Sequence, residues 1–253
     1  AEAWKEDASK TIKEVLVEKI AVIGEKLSIR RFEKVVAENG LVVSYVHGGG
    51  RIGVLVSADT DNVNDAVKEA LTNVAMQVAA MNPTYISRND ISADELAKEK
   101  EITLESALND PFSLPKPILN KLIERAINEN VWNDADKAIY EEKKSNMNFL
   151  PNFLSDAAKA SLAELAVADK ANISADKIFA GLVEGRISKH LKEICLLDQV
   201  YVKAEDGKQS VGKYLESVNK DLVIIEMVRF ETGEGLEKKE ENFAEEVAKQ
   251  MGQ

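Results

Sequence analysis

The sequence predicts an α+β fold: two similar subdomains of small antiparallel sheets with helices, and a helical, coiled-coil-like arm inserted in the second. Two strand-like runs flank Gly48-Gly49-Gly50, a helix-forming stretch from about Ser92 to His190 carries no strand signal, and β-branched runs return after it. The expected organisation is a first core subdomain over 1–91, the arm over 92–190, a second core subdomain over 191–235 and a C-terminal helix module over 236–253.

From Ile12 the apolar positions Val15, Leu16, Ile20, Ile23 and Leu27 recur at three and four residues, the spacing of an amphipathic helix, and Gly24 lies near its end. After Asn39-Gly40 come Leu41 to His47 and Arg51 to Val56, rich in β-branched residues. They are joined by glycines that take the positive φ a hairpin loop needs. Asp59 to Asn62 offers N-caps for a helix carrying Val63, Val67, Leu71, Val74, Val78 and Met81, which Asn82-Pro83 terminates. The arm is expected to open at Ser92, with Glu95 completing a capping box. Its last helix is expected to open at Ser174, with two or three helices between. Beyond it, Gln199 to Lys203 reads as a short strand, Val211 to Val218 as a helix, Asp221 to Phe230 as a strand and Asn242 to Met251 as a closing helix.

The chain has 253 residues with Lys+Arg 33 against Asp+Glu 44, a net charge of −11 that repels phosphate backbones and argues against nucleic acid as a partner. No run approaches the ~18 apolar residues of a membrane span, so no membrane partner is expected. The lone Cys195, in Ile194-Cys195-Leu196-Leu197, cannot form an internal disulfide and reads as a small core hydrophobe in a reducing cytoplasm. The N-terminal Ala-Glu-Ala-Trp-Lys-Glu-Asp-Ala reads as the interior of a longer protein.

Chemistry is sparse. His47 and His190 are far apart with no carboxylate pair beside them, so no metal ligand set is expected. The triple glycine is followed by a strand and lacks the helix N-terminus that cradles phosphate, so no nucleotide or other cofactor is expected. There is no serine elbow, and Cys195 five residues from His190 makes no dyad, so no catalytic residue is assigned and His190 is read as a helix-surface residue. These readings favour a binding protein over an enzyme.

Ser44-Tyr45-Val46-His47-Gly48-Gly49-Gly50-Arg51-Ile52-Gly53-Val54-Leu55-Val56 resembles the signature of the bacterial elongation factor Ts family. Four further blocks agree in order: Ile20 to Arg31 around Ile23-Gly24-Glu25, Val74 to Pro83, Val183-Glu184-Gly185-Arg186, and Val228 to Lys238 followed by Asn242 to Val247. The resemblance implies the core and C-terminal part of a guanine-nucleotide exchange factor for elongation factor Tu. It assigns Ile23, Gly24, His47 and Gly48 to the surface that presses on the partner's GTPase domain, and Phe243 and Val247 to contacts with its other domains. For Ile23 a core position in the first helix fits the periodicity equally. For His47 the alternative is a solvated hairpin-end ring, and for Phe243 an intramolecular dock.

The chain departs from the family pattern in two places. The family's N-terminal helical domain and Thr-Asp-Phe-Val motif are not found, and Thr60-Asp61-Asn62-Val63, with Asn62 where that motif has Phe, reads as a helix cap. The arm from about Pro111 to Lys170 reads as an enlargement of the family's antiparallel coiled coil, and such an arm offers a surface for a homodimer. The competing expectation is therefore a fragment that binds the partner with lost or reduced exchange activity.

Overall fold

A computed structural model describes residues 3–236. The chain divides into two compact units, Ala1–Val36 and Ala37–Gln253. The closing helix expected over Asn242 to Met251 lies outside the described residues.

In the first unit, helix α1 spans Ile12–Ile23. Thr11 caps it by accepting a hydrogen bond from the Glu14 amide, while the Glu14 carboxylate accepts from the Thr11 amide at 2.7 Å. That is the reciprocal box that satisfies two orphan donors of a first turn, and the Thr11 amide holds the Glu14 carboxyl below its ordinary range. Gly24 ends the helix in the left-handed region at φ 78°, its N–H donating to the Ile20 carbonyl at 2.9 Å. Leu27 therefore lies past the helix rather than on it.

In the second unit, strands β1 (Leu41–His47), β2 (Ile52–Asp59) and β3 (Val223–Glu231) form one antiparallel sheet in the order β1-β2-β3. The α+β class stands, and the strands expected in two separate subdomains come together in one sheet. Helix α2 (Asp65–Met81) covers a face of it, packing Val67, Leu71, Val74 and Val78 against Val54, Val56 and Ala58 of β2 and Ile224 of β3. Full burial of a side chain such as Leu71 contributes about 2 kcal/mol. Asn64, rather than any residue of Asp59 to Asn62, caps α2, because its side-chain oxygen accepts from the Val67 amide at 2.9 Å. Thr60 instead closes a turn, accepting from the Asn62 amide at 3.2 Å. Asn82, at φ 46°, ends α2 ahead of Pro83. The Arg229 guanidinium lies 3.4 Å from the Ala79 carbonyl, a cation at the negative end of that helix.

The arm consists of α3 (Ala93–Asn109), α4 (Lys116–Asn128), α5 (Asp134–Lys143), α6 (Asp156–Ala168), α7 (Lys170–Ala175) and α8 (Lys177–Ile194). Ser92 and Glu95 form the expected capping box. Four helices lie between the first and last, where two or three were expected. The last begins at Lys177 because Asp176, not Ser174, accepts from the amides of Ile178 and Phe179. The arm has its own core, in which Ile123, Trp132, Leu150, Leu162 and Phe179 are almost wholly enclosed. Trp132 Nε1 donates to the Ala158 carbonyl and Ser161 hydroxyl. Asp136 ties α5 to α6 by accepting from the Ser155 amide and hydroxyl at 2.9 and 2.8 Å.

Two chain crossings join the arm to the sheet layer. The amides of Thr84 and Tyr85 donate to the Ile194 carbonyl, and those of Leu196 and Leu197 to the carbonyls of Tyr85 and Ile86. Cys195 is wholly buried beside this ladder, as a core hydrophobe should be, and burial pushes its thiol up. Residues 199–203 do not form the expected strand. The Gln77 side chain on α2 occupies their backbone, its Nε2 donating to the Val200 carbonyl and its Oε1 accepting from the Val202 amide. Only an isolated bridge between Val200 and Ser210 forms. Helix α9 spans Val211–Val218, as expected, and leads into β3.

Candidate partner-binding surfaces

The expected contact residues fall in both units. In the first, Ile23 is the last residue of α1 and is 54% exposed, and no residue of α1 is buried. The core position that periodicity allowed for Ile23 is thus not taken. Val22 beside it is exposed too, as are Ile29, Phe32 and Val36 further along, an unusual density of large apolar side chains facing outward. A Cβ at Gly24 would meet nothing within 4 Å, so this glycine is required by its left-handed φ and leaves the backbone beside Ile23 open to approach.

In the second unit, the turn between β1 and β2 carries His47 and Gly48. His47 is paired across the strands with Ile52, and its carbonyl accepts from the Arg51 amide at 3.0 Å, closing the tip. Gly48, Gly49 and Gly50 run at φ 61°, 66° and 98°, three successive left-handed residues that only glycine adopts without strain. His47, Gly48, Gly49, Gly50 and Arg51 are all exposed. The tip can therefore project an imidazole and a guanidinium with no neighbouring Cβ in the way.

Two residues that sequence reasoning did not single out hold this tip. Tyr45, two residues before His47 and so on the same strand face, places its hydroxyl 2.9 Å from His47 Nδ1, with ring centroids 5.8 Å apart. Thr232, just after β3, donates from its amide to the Arg51 carbonyl at 2.8 Å and from its hydroxyl to the same oxygen at 3.0 Å. The alternation of β1 carries the signal for Tyr45. Thr232 falls within the Val228 to Lys238 block, but its hold on the tip follows only once β3 is known to pair with β2.

Among the described residues no cluster of His, Cys, Asp or Glu could hold a metal ion, and no helix is long and apolar enough to cross a membrane. Phe243 and Val247 lie outside the described residues.

An exposed glycine tip on a small sheet, a glycine-ended apolar helix and an arm inserted between α2 and α9 are the geometry in place. Against known families, the model described as "Elongation factor TS" matches residues 1–135 and 133–234. The chain belongs to the elongation factor Ts family. Elongation factor Ts of Clostridium perfringens (strain SM101 / Type A) is 39% identical over 254 residues, 99% of this chain and 63% of the relative. That of Clostridioides difficile (strain 630) is 38% identical over 243 residues, covering 95% and 59%. That of Clostridium botulinum (strain Eklund 17B / Type B) is 36% identical over 252 residues, covering 98% and 62%. The chain thus spans about three fifths of the length of these elongation factor Ts relatives.

Proposed function

We propose that this chain binds elongation factor Tu in the cytoplasm as the core part of its guanine-nucleotide exchange factor, acting by contact rather than by covalent chemistry. An exchange factor lowers nucleotide affinity by binding the empty partner more tightly than the loaded one, so its contacts must differ between those states. The observation that carries this reading is the hairpin tip: His47 and Gly48 stand exposed on a turn whose backbone is held from behind by Thr232. Ile23 and Gly24 fit the same role as an exposed apolar side chain beside an open backbone. For Phe243 and Val247 the role rests on the family resemblance.

One observation favours binding with reduced exchange. Thr60-Asp61-Asn62-Val63 is the chain's nearest match to the family's Thr-Asp-Phe-Val motif, and Thr60 is buried, with its hydroxyl accepting from Asn62 and Asn219. That segment is occupied as an internal turn. The test is release of fluorescent GDP from elongation factor Tu, run beside complex formation with the nucleotide-free partner. The expected result is measurable binding with release slower than a full-length family member gives; release at the full-length rate refutes the reduced-exchange reading. His47→Ala should weaken affinity for the empty partner roughly tenfold, the scale of one well-placed contact. An unchanged dissociation constant would refute the tip as a contact.

A further inference from the structure

We infer that Tyr45 is a positioning residue for His47. Its hydroxyl donates to Nδ1 and fixes the neutral imidazole as the Nε2–H form, so the tip presents a hydrogen-bond donor whose counterpart is a carbonyl or carboxylate oxygen. The inference rests on the reading of His47 as a partner contact and adds the chemistry of the group it meets.

Tyr45 is well placed to impose this. It is half-buried, packed against the core between the sheet and α2, and paired in register with Val54. Its ring is anchored at one end while its hydroxyl reaches 2.9 Å from His47 Nδ1 at the other. Among the described residues the hydroxyl has this one hydrogen-bond partner. Of the two ways to make the bond, O–H to N is favoured over N–H to O, because a phenol is the better donor and an imidazole nitrogen the better acceptor. With Nδ1 occupied as acceptor, the ring proton of a neutral imidazole sits on Nε2. Nε2 lies across the ring from Tyr45, and His47 is exposed beside three glycines that bring no side chain of their own to compete.

The arrangement has two consequences for recognition. A free histidine on a loop exchanges between tautomers and rotamers and must be ordered on binding, whereas a ring already tethered at Nδ1 is largely ordered beforehand. A donor fixed at Nε2 also discriminates, since it is matched by an oxygen acceptor and mismatched by another donor.

The first experiment needs no partner: ring nitrogen–proton correlation spectra of the 253-residue chain at about pH 8, where an ordinary imidazole is neutral. The expected pattern is Nε2–H for His47 in the wild type and a mixture containing Nδ1–H in Tyr45→Phe, which keeps the packed ring and removes only the hydroxyl. A wild-type Nδ1–H pattern, or a variant spectrum identical to the wild type, overturns the inference. The second experiment measures affinity for nucleotide-free elongation factor Tu in Tyr45→Phe, His47→Ala and the double variant. Tyr45→Phe should weaken binding about threefold to tenfold and add nothing in the His47→Ala background. Full additivity overturns the positioning role. An unchanged affinity for His47→Ala alone removes the contact reading instead, and the ring spectrum, recorded without partner, tells the two failures apart.

Discussion

Replacing Gln77 by Leu tests what holds residues 199–202 onto α2. Gln77 is fully buried, and its amide makes three hydrogen bonds: Nε2 to Gln199 Oε1 and to the Val200 carbonyl, both at 3.1 Å, and Oε1 from the Val202 amide at 2.8 Å. Leucine fills nearly the same volume, so the cavity contribution is small and the loss is mostly of hydrogen bonds. At about 1 kcal/mol for each bond the sum is about 3 kcal/mol. Val200 and Val202 are about half exposed, so water can replace part of two of those bonds. Gln199 is 2% exposed and keeps only its Nε2 bond to the Glu193 carbonyl at 2.6 Å, so its orphaned oxygen carries the full penalty. The expected destabilisation is therefore about 2–4 kcal/mol. The assay is urea unfolding by circular dichroism, with hydrogen exchange of α2 amides assigning the transition to the sheet layer rather than to the arm, whose core is separate. Gln199→Leu should cost less in the Gln77→Leu background than alone, since the two amides share a bond. A loss below about 0.5 kcal/mol, within the scatter of surface substitutions, would refute the reasoning and leave burial of Tyr201 as the anchor.

Gly40 precedes β1 at φ 114°, and a Cβ there would stand 2.2 Å from the Ala58 carbonyl oxygen, so Gly40→Ala should destabilise by about 2–4 kcal/mol, read as a lower thermal midpoint; a loss under about 0.5 kcal/mol refutes the clash. Tyr201 is stacked on Tyr214 at 4.1 Å and nearly buried, and burial followed by the Tyr214 hydroxyl raises its pKa well above the ordinary tyrosine value of about 10. The folded state then holds the proton that the unfolded state loses, so the stability this group contributes is present below about pH 10 and falls as pH rises beyond it. The urea midpoint of the wild type should drop more steeply between pH 9 and 11 than that of Tyr201→Phe; equal slopes would refute the burial argument.

What was legible in the sequence is what local chemistry dictates. The hairpin and its tip followed from Gly48-Gly49-Gly50 between β-branched runs, α9 and β3 from the pattern after Ser210, and the entry to the arm from Ser92 and Glu95. What was not legible depends on partners far away in the chain. Residues 199–203 have the composition of a strand, but beyond a short pairing with residues 209–211 the backbone of Val200 and Val202 is taken up by a side chain more than 120 positions earlier. Ser174 and the Thr60 region look like caps, yet Asp176 and Asn64 are better placed, and a choice among neighbouring polar residues is settled by geometry rather than type. Ile23 was ambiguous for a different reason. Ile23 continues the apolar stripe of Val15, Leu16 and Ile20, but Val17, Ala21 and Val22 add apolar side chains on other faces, so the stripe alone does not say which side is covered.

The way the arm is rooted constrains how the proposed contacts can work. Four backbone hydrogen bonds link residues 84–86 to residues 194–197, and the Arg88 guanidinium adds an ion pair to Asp198 at 2.6 Å across the same junction. At about 1 kcal/mol for each backbone bond, swinging the arm about this root as a hinge would forfeit about 4 kcal/mol. That exceeds a typical coupling free energy of about 1–3 kcal/mol, so such a hinge would cost more than the coupling it served. The chain leaves the root into α9 and β3, and β3 in turn pairs with β2 and is followed by Thr232, which bonds to Arg51 at the hairpin tip. Ile86, Leu196 and Leu197 of the root pack into the same core as the sheet, so arm root and tip share one layer. For the proposed His47 contact, that layer favours a stiff support over a hinge at the arm root.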